Sequence, residues 1–111
     1  MGNSNELVQN MLLELRRGMI VMAVLSQLKE EQYGYSLLKL LSDQNMEIDQ
    51  GTLYPLLRRL EAQGLLQSDW RLAEEARPRR YYIMSKQGRE VLAQLKREWS
   101  GMVAAMQKLL S

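Results

Sequence analysis

Residues Gly51 to Leu66, GTLYPLLRRLEAQGLL, constrain the chain more than any other segment, because they demand one short helix with two incompatible faces. Leu53, Leu56, Leu57 and Leu60 stand at i, i+3, i+4 and i+7, so they form one apolar stripe that has to be buried. Tyr54, Pro55, Arg58 and Arg59 point away from that stripe. Gly64 is placed to end the helix by taking the left-handed conformation after its C-cap. A helix pinned along one side and carrying Tyr and Arg on the other suits a DNA major groove.

The elements around that helix sharpen the expectation. Glu6 to Lys29 read as a helix with a candidate break at Gly18. From Met19 its apolar residues cover nearly the whole circumference, so it is either a central core helix or one covered by a second subunit. Gly34 and Tyr35 open a second helix, with Leu37, Leu38 and Leu41 inward and Lys39 outward; Asn45 to Glu47 form a turn. Asp49 is the expected N-cap of the third helix, and Pro55 is tolerable only near a helix start. Next, Leu66, Ser68, Trp70 and Leu72 alternate with polar residues as in a strand, and Tyr82 and Met84 repeat the alternation after Arg80. Ala73 to Arg79 form the connection, which ends in RPR. Ser85 caps a last helix running to the C-terminus. Three helices, a hairpin and a final helix give a mainly α fold with a small β-hairpin (α+β), in the order of a winged helix-turn-helix. Residues 1–84 would form that DNA-binding unit and residues 85–111 a dimerisation helix, with the first helix shared between them.

The last helix carries a second signal. Leu92, Leu95, Trp99, Met102, Met106 and Leu109 are spaced 3, 4, 3, 4 and 3 apart, the a/d seam of a heptad repeat. With Met19 and Met22 of the first helix, this stripe is expected to form a symmetric dimer interface; an intrachain core stripe is the alternative.

Composition narrows the chemistry. At 111 residues the chain is one domain, able to bury about two-thirds of its unfolded surface. It has no Cys and no His, so the usual general bases, thiolate nucleophiles and transition-metal ligands are missing. No glycine-rich phosphate loop is present either. No catalytic site, metal or cofactor is expected. The longest apolar run, Met19 to Leu25, is far shorter than the roughly 20 residues of a membrane span, and no signal peptide is evident, so a cytoplasmic protein is expected. Eight basic residues against four acidic ones between Gln50 and Arg89 give that stretch a net +4. The whole-chain charge of +2 then leaves −2 for the remainder. Positive charge gathered on one third of a chain marks a phosphate-facing surface.

Together the segments YGYSLLKLL (Tyr33 to Leu41), GTLYPLLRRLEAQGLL, Trp70 and RPRRYYIMSKQGREVL (Arg77 to Leu92) make the chain resemble the PadR family of bacterial transcriptional regulators, in particular compact members with a single C-terminal helix. The likeness covers nearly the whole chain. It implies a winged-helix homodimer that binds double-stranded operator DNA, typically as a repressor released by an effector or partner. It maps the family's third helix onto Gln50 to Gln63 and its wing onto Arg71 to Arg80. In some compact members a tryptophan at the position of Trp99 lines an interface pore for flat hydrophobic compounds. By that likeness Trp99, Met19 and Met102 are candidate effector contacts, and Met22 and Met106 add adaptable side chains; Trp99 as a plain packing knob is the alternative.

On this reading Gln50, Thr52 and Tyr54 lie nearest the base edges, and Arg58 reaches either a guanine or a phosphate. Arg59 faces either DNA or the wing. Tyr35, Ser36 and Lys39 clamp phosphates from the second helix. Arg77, Arg79 and Arg80 contact phosphate or enter the minor groove; for Arg80 and Tyr81 the competing role is to stabilise the hairpin. The rival to operator binding is a winged helix used for protein contact without DNA.

Overall fold

A computed structural model describes residues 4–72 and 77–111. Helix α1 (Ser4–Ser26) leads through a two-residue strand β1 (Gln32–Tyr33) into α2 (Gly34–Asp43) and α3 (Gln50–Ala62). The hairpin strands β2 (Leu66–Leu72) and β3 (Pro78–Met84) follow, and α4 (Lys86–Leu110) closes the chain. The sheet is antiparallel in the order β1-β3-β2, with Tyr33 opposite Tyr81 and Trp70 opposite Arg80.

Local chemistry accounts for most boundaries. The Asp49 carboxylate accepts the Thr52 amide at 2.7 Å, and the Ser85 hydroxyl accepts the Gly88 amide at 3.0 Å, so both expected N-caps are made. Gly64 adopts φ +83°. There Leu65 N–H bonds the Leu60 carbonyl and Gly64 N–H the Glu61 carbonyl, the paired bonds of a Schellman ending. Asn45 (φ 63°) ends α2 by the same two bonds, one turn type used twice. The turn after Gly64 is then tied to α4, because the Ser85 hydroxyl donates to the Gly64 carbonyl at 2.6 Å.

The core lies where α1, α2 and α3 meet the base of the hairpin. Val24, Leu25, Leu28, Leu37, Leu53, Leu57 and Leu60 are fully buried, joined by Leu56, Leu41, Leu66, Tyr82, Met84 and Leu92. All four leucines of the α3 stripe are therefore inside, each stabilising the fold by about 1.5–3 kcal/mol.

Four expectations change. Helix α1 runs unbroken through Gly18. Pro78 and Arg79 belong to β3 rather than to the connecting turn; a proline is acceptable as a strand's first residue. Of that turn, residues 73–76 lie outside the described residues. The alternation in β2 buries only its first member: Leu66 is inside, Ser68 is half-buried, and Trp70 and Leu72 are exposed because the hairpin extends past the core. Leu92 is 6% exposed within the chain's own core, which removes it from the expected dimer seam. Leu95 packs against that core.

Candidate nucleic-acid interface

Helix α3 presents its N-terminal end to solvent. Gln50 and Thr52 are exposed there, and Arg58, one and a half turns further on, is exposed with no side-chain partner among the described residues. Lys39 on α2 and Arg77 before β3 are likewise exposed and unpartnered among the described residues. Tyr35 is 62% exposed at the start of α2. Exposed cations on α2, α3 and the wing suit contacts to a polyanionic backbone.

Other expected contacts are drawn inward. Tyr54 is half-buried, its ring lying so close to Gly34 that a Cβ there would collide with it; glycine is needed for that approach. The Ser36 hydroxyl accepts the Tyr33 amide at 3.1 Å and donates toward Gln32 Oε1 at 2.8 Å, so it joins the turn into α2 instead of facing outward. Arg79 stacks over the Tyr33 ring at 4.4 Å, and Tyr33 meets Tyr81 edge-on at 5.5 Å. Arg80 is committed to Glu61 at 2.6 Å and to Ser68 at 3.0 Å, between the rings of Trp70 and Tyr82. Burial raises the Tyr82 phenol above its ordinary range.

Sequence reasoning missed three participants. Arg71 pairs with Glu31 and with Asp69 and lies over Tyr81, spanning the outer face of the sheet. Those carboxylates, Glu31 foremost, raise its pKa. Glu61 faces the hairpin from α3. Strand β1, too short for any alternation to register, brings Tyr33 to the edge of β3. Between α3 and the hairpin lies an open crease of about 350 Å³, which Tyr33 lines together with Tyr54, Leu57, Arg58, Trp70, Arg79 and Tyr82.

The helical ends differ from this body. Trp99, Met102, Met106, Leu109 and Leu110 on α4 remain exposed, as do Leu7, Val8, Met11, Leu13 and Leu15 on α1. Met19 and Met22 are half-buried on α1, which packs against α4. A further signal for α1 is legible in the sequence: Val8, Leu12, Leu15, Met19 and Met22 are spaced 4, 3, 4 and 3 apart, a seam that extends Met19 and Met22 toward the N-terminus.

Three helices with a two-stranded wing and a third strand at its edge define the winged helix-turn-helix class. Residues 21–94 match the PadR-like transcriptional regulator family, and the chain belongs to that family. Its members regulate transcription and are not enzymes. The chain is similar to a PadR-family regulator from Eggerthella lenta, at 47% identity and a TM-score of 0.90, covering 96% of this chain and 95% of that one. A PadR-like regulator from Bacillus cereus superposes with a TM-score of 0.75 at 27% identity, over 88% of this chain and 97% of its own. A transcriptional regulator of Mycobacterium tuberculosis is 42% identical over 67 residues, which are 60% of this chain and 62% of that protein. Among the described residues no helix is long and apolar enough to cross a membrane, and no acidic cluster is arranged to hold a metal.

Proposed function

We propose that the protein is a homodimeric repressor that binds a pseudo-palindromic operator, inserting α3 of each subunit into successive major grooves. The observation that carries this reading is the set of exposed cations without a hydrogen-bond or ion-pair partner among the described residues, Lys39 on α2, Arg58 on α3 and Arg77 at the wing, beside the exposed Gln50 and Thr52 of the α3 N-terminus. Gln50 and Thr52 would read base edges, Arg58 a guanine or a phosphate, and Tyr35, Lys39 and Arg77 the backbone. Arg79 would reach phosphate with its Tyr33 stack intact. Tyr54 would contribute from the rim of the crease.

The uncovered apolar rows on α1 and α4 support the dimer. A 25-residue helix whose distal half exposes Trp99, Met102, Met106 and Leu109 leaves a surface that a second copy of the same helix pair would bury. Leu95, Met19 and Met22 would extend that seam toward the body. A hydrophobic effector seated beside Trp99, Met19 and Met102 would relieve repression by altering the separation of the two α3 helices. Tryptophan quenching by a hydrophobic dye, lost in Met102→Glu, tests that element.

The main test is a gel-shift and footprint with the DNA immediately upstream of the protein's own coding sequence. Two protected half-sites about one helical turn apart, with affinity falling steeply in salt, are expected. A protein that binds no duplex at any salt concentration would instead be a winged helix for protein contact.

A further inference from the structure

Glu61 occupies an unfavourable place. It sits in the last turn of α3, where the helix carbonyls present negative potential that disfavours a carboxylate. Its environment supplies the compensation. Arg80 Nη2 donates to one carboxylate oxygen at 2.6 Å, and the Ser68 hydroxyl donates to the other at 2.6 Å. Arg80 Nε in turn donates to the Ser68 oxygen at 3.0 Å. Three groups from α3, β2 and β3 thus close a triangle in which the serine gives its single proton and accepts another. Trp70 and Tyr82 hold the guanidinium between their rings at 5.6 and 5.4 Å. The Arg80 and Glu61 side chains are only 31% and 28% exposed, so the pair is partly withdrawn from water and less screened than a surface ion pair.

We propose that the Glu61–Ser68–Arg80 triangle is a strut that sets the angle between the third helix and the wing, making Arg80 and Glu61 positioning residues for DNA binding and not phosphate contacts. The inference rests on the DNA-binding reading above. The charge of Arg80 is neutralised by Glu61, so a phosphate drawn to this pair would meet no net positive charge. The crease beside the strut is bounded by Arg58 on one wall and Arg79 on the other. Its width decides whether α3 and the wing engage one duplex together. A fixed width lowers the ordering cost at binding, which is the advantage of a preorganised site.

The two roles of Arg80 make opposite predictions when its partner is removed. Operator titrations over a range of salt, with wild type, Glu61→Ala, Arg80→Ala, Arg80→Lys and the Glu61→Ala/Arg80→Ala double variant, separate them. A strut predicts that each single variant weakens binding by about three- to tenfold at an unchanged salt slope, with the double variant no worse than either. Arg80→Lys should behave like Arg80→Ala, because an ammonium cannot reproduce the forked pair. A phosphate contact predicts the reverse: Glu61→Ala frees a cation and tightens binding, Arg80→Ala lowers the slope by about 0.9, and Lys substitutes well. Any of those three results overturns the strut.

A second measurement needs no DNA and guards against variants that lose their fold. The chain contains no cysteine, so Thr52→Cys and Leu72→Cys allow spin labels on α3 and the wing alone. In doubly labelled protein diluted with unlabelled protein, Glu61→Ala should broaden the distance distribution while helical circular dichroism stays constant. An unchanged distribution removes the strut even if DNA binding is intact. A wild type with no affinity for duplex, together with a broadened distribution, removes the DNA reading and keeps the strut's structural role.

Discussion

The two halves of α4 behave as if they belonged to different proteins. Its first two turns enter the core, with Gly88 and Leu92 buried against the turn after α3 and the end of α1. Its distal half carries more apolar side chains, yet Trp99, Met102, Met106 and Leu109 stay open to solvent. The same contrast divides α1, whose Val24 and Leu25 are fully buried while Leu7, Val8, Met11, Leu13 and Leu15 are not. The body around Leu25 and Leu57 is finished within one chain, whereas the two helical arms leave their apolar rows uncovered. The elongated shape, 52 × 37 × 24 Å, follows from those projecting arms.

The largest expected effect tests the finished half. Leu57→Ala should cost about 2–5 kcal/mol of unfolding free energy by denaturant titration, whatever the protein concentration. A loss below 1 kcal/mol would mean the core relaxes around the cavity and is less closed than its burial implies. The unfinished half is tested next by Trp99→Glu. It should weaken association by about 2 kcal/mol or more, seen in sedimentation, while a dilute chain keeps its helical signal. If the variant stays as associated as wild type, the arms are covered by something other than this seam.

Smaller effects probe the DNA-facing side of the body. Arg58→Ala should lower operator affinity by about 1–3 kcal/mol in a gel-shift titration; unchanged affinity would leave α3 reading DNA without it. Asp49→Ala should remove about 1 kcal/mol of stability through the lost cap, and a silent change would show the α3 start is held by packing alone. Smallest in energy is Arg77→Ala, expected to reduce the salt slope of binding by about one without altering sequence preference. A slope equal to wild type would place the wing away from the backbone.

Local periodicity and capping chemistry make the body legible in the sequence alone. The stripe Leu53, Leu56, Leu57 and Leu60, the caps Asp49 and Ser85, and the left-handed Gly64 are each decided within a few residues of chain. What escaped depends on distant partners. Trp70 and Leu72 alternate as an inward strand should, but nothing in β2 says the hairpin outruns the core. Arg80 meets Glu61 nineteen residues away, and Ser36 turns back to Tyr33, so neither charge count nor spacing could separate a free cation from a paired one. Leu92 fits the heptad as well as Leu95 does; only the packing of α4 against the core assigns it inward.

In the proposed function, a self-sufficient winged body and an incomplete pair of arms together make a two-fold DNA clamp. Sedimentation of the protein with a duplex carrying the upstream sequence tests it directly. Two chains per duplex are expected at saturation, with a protein-only species of twice the 12.9 kDa chain mass. A one-to-one complex formed by a stable monomer, with Trp99 still open to quenchers, would contradict it.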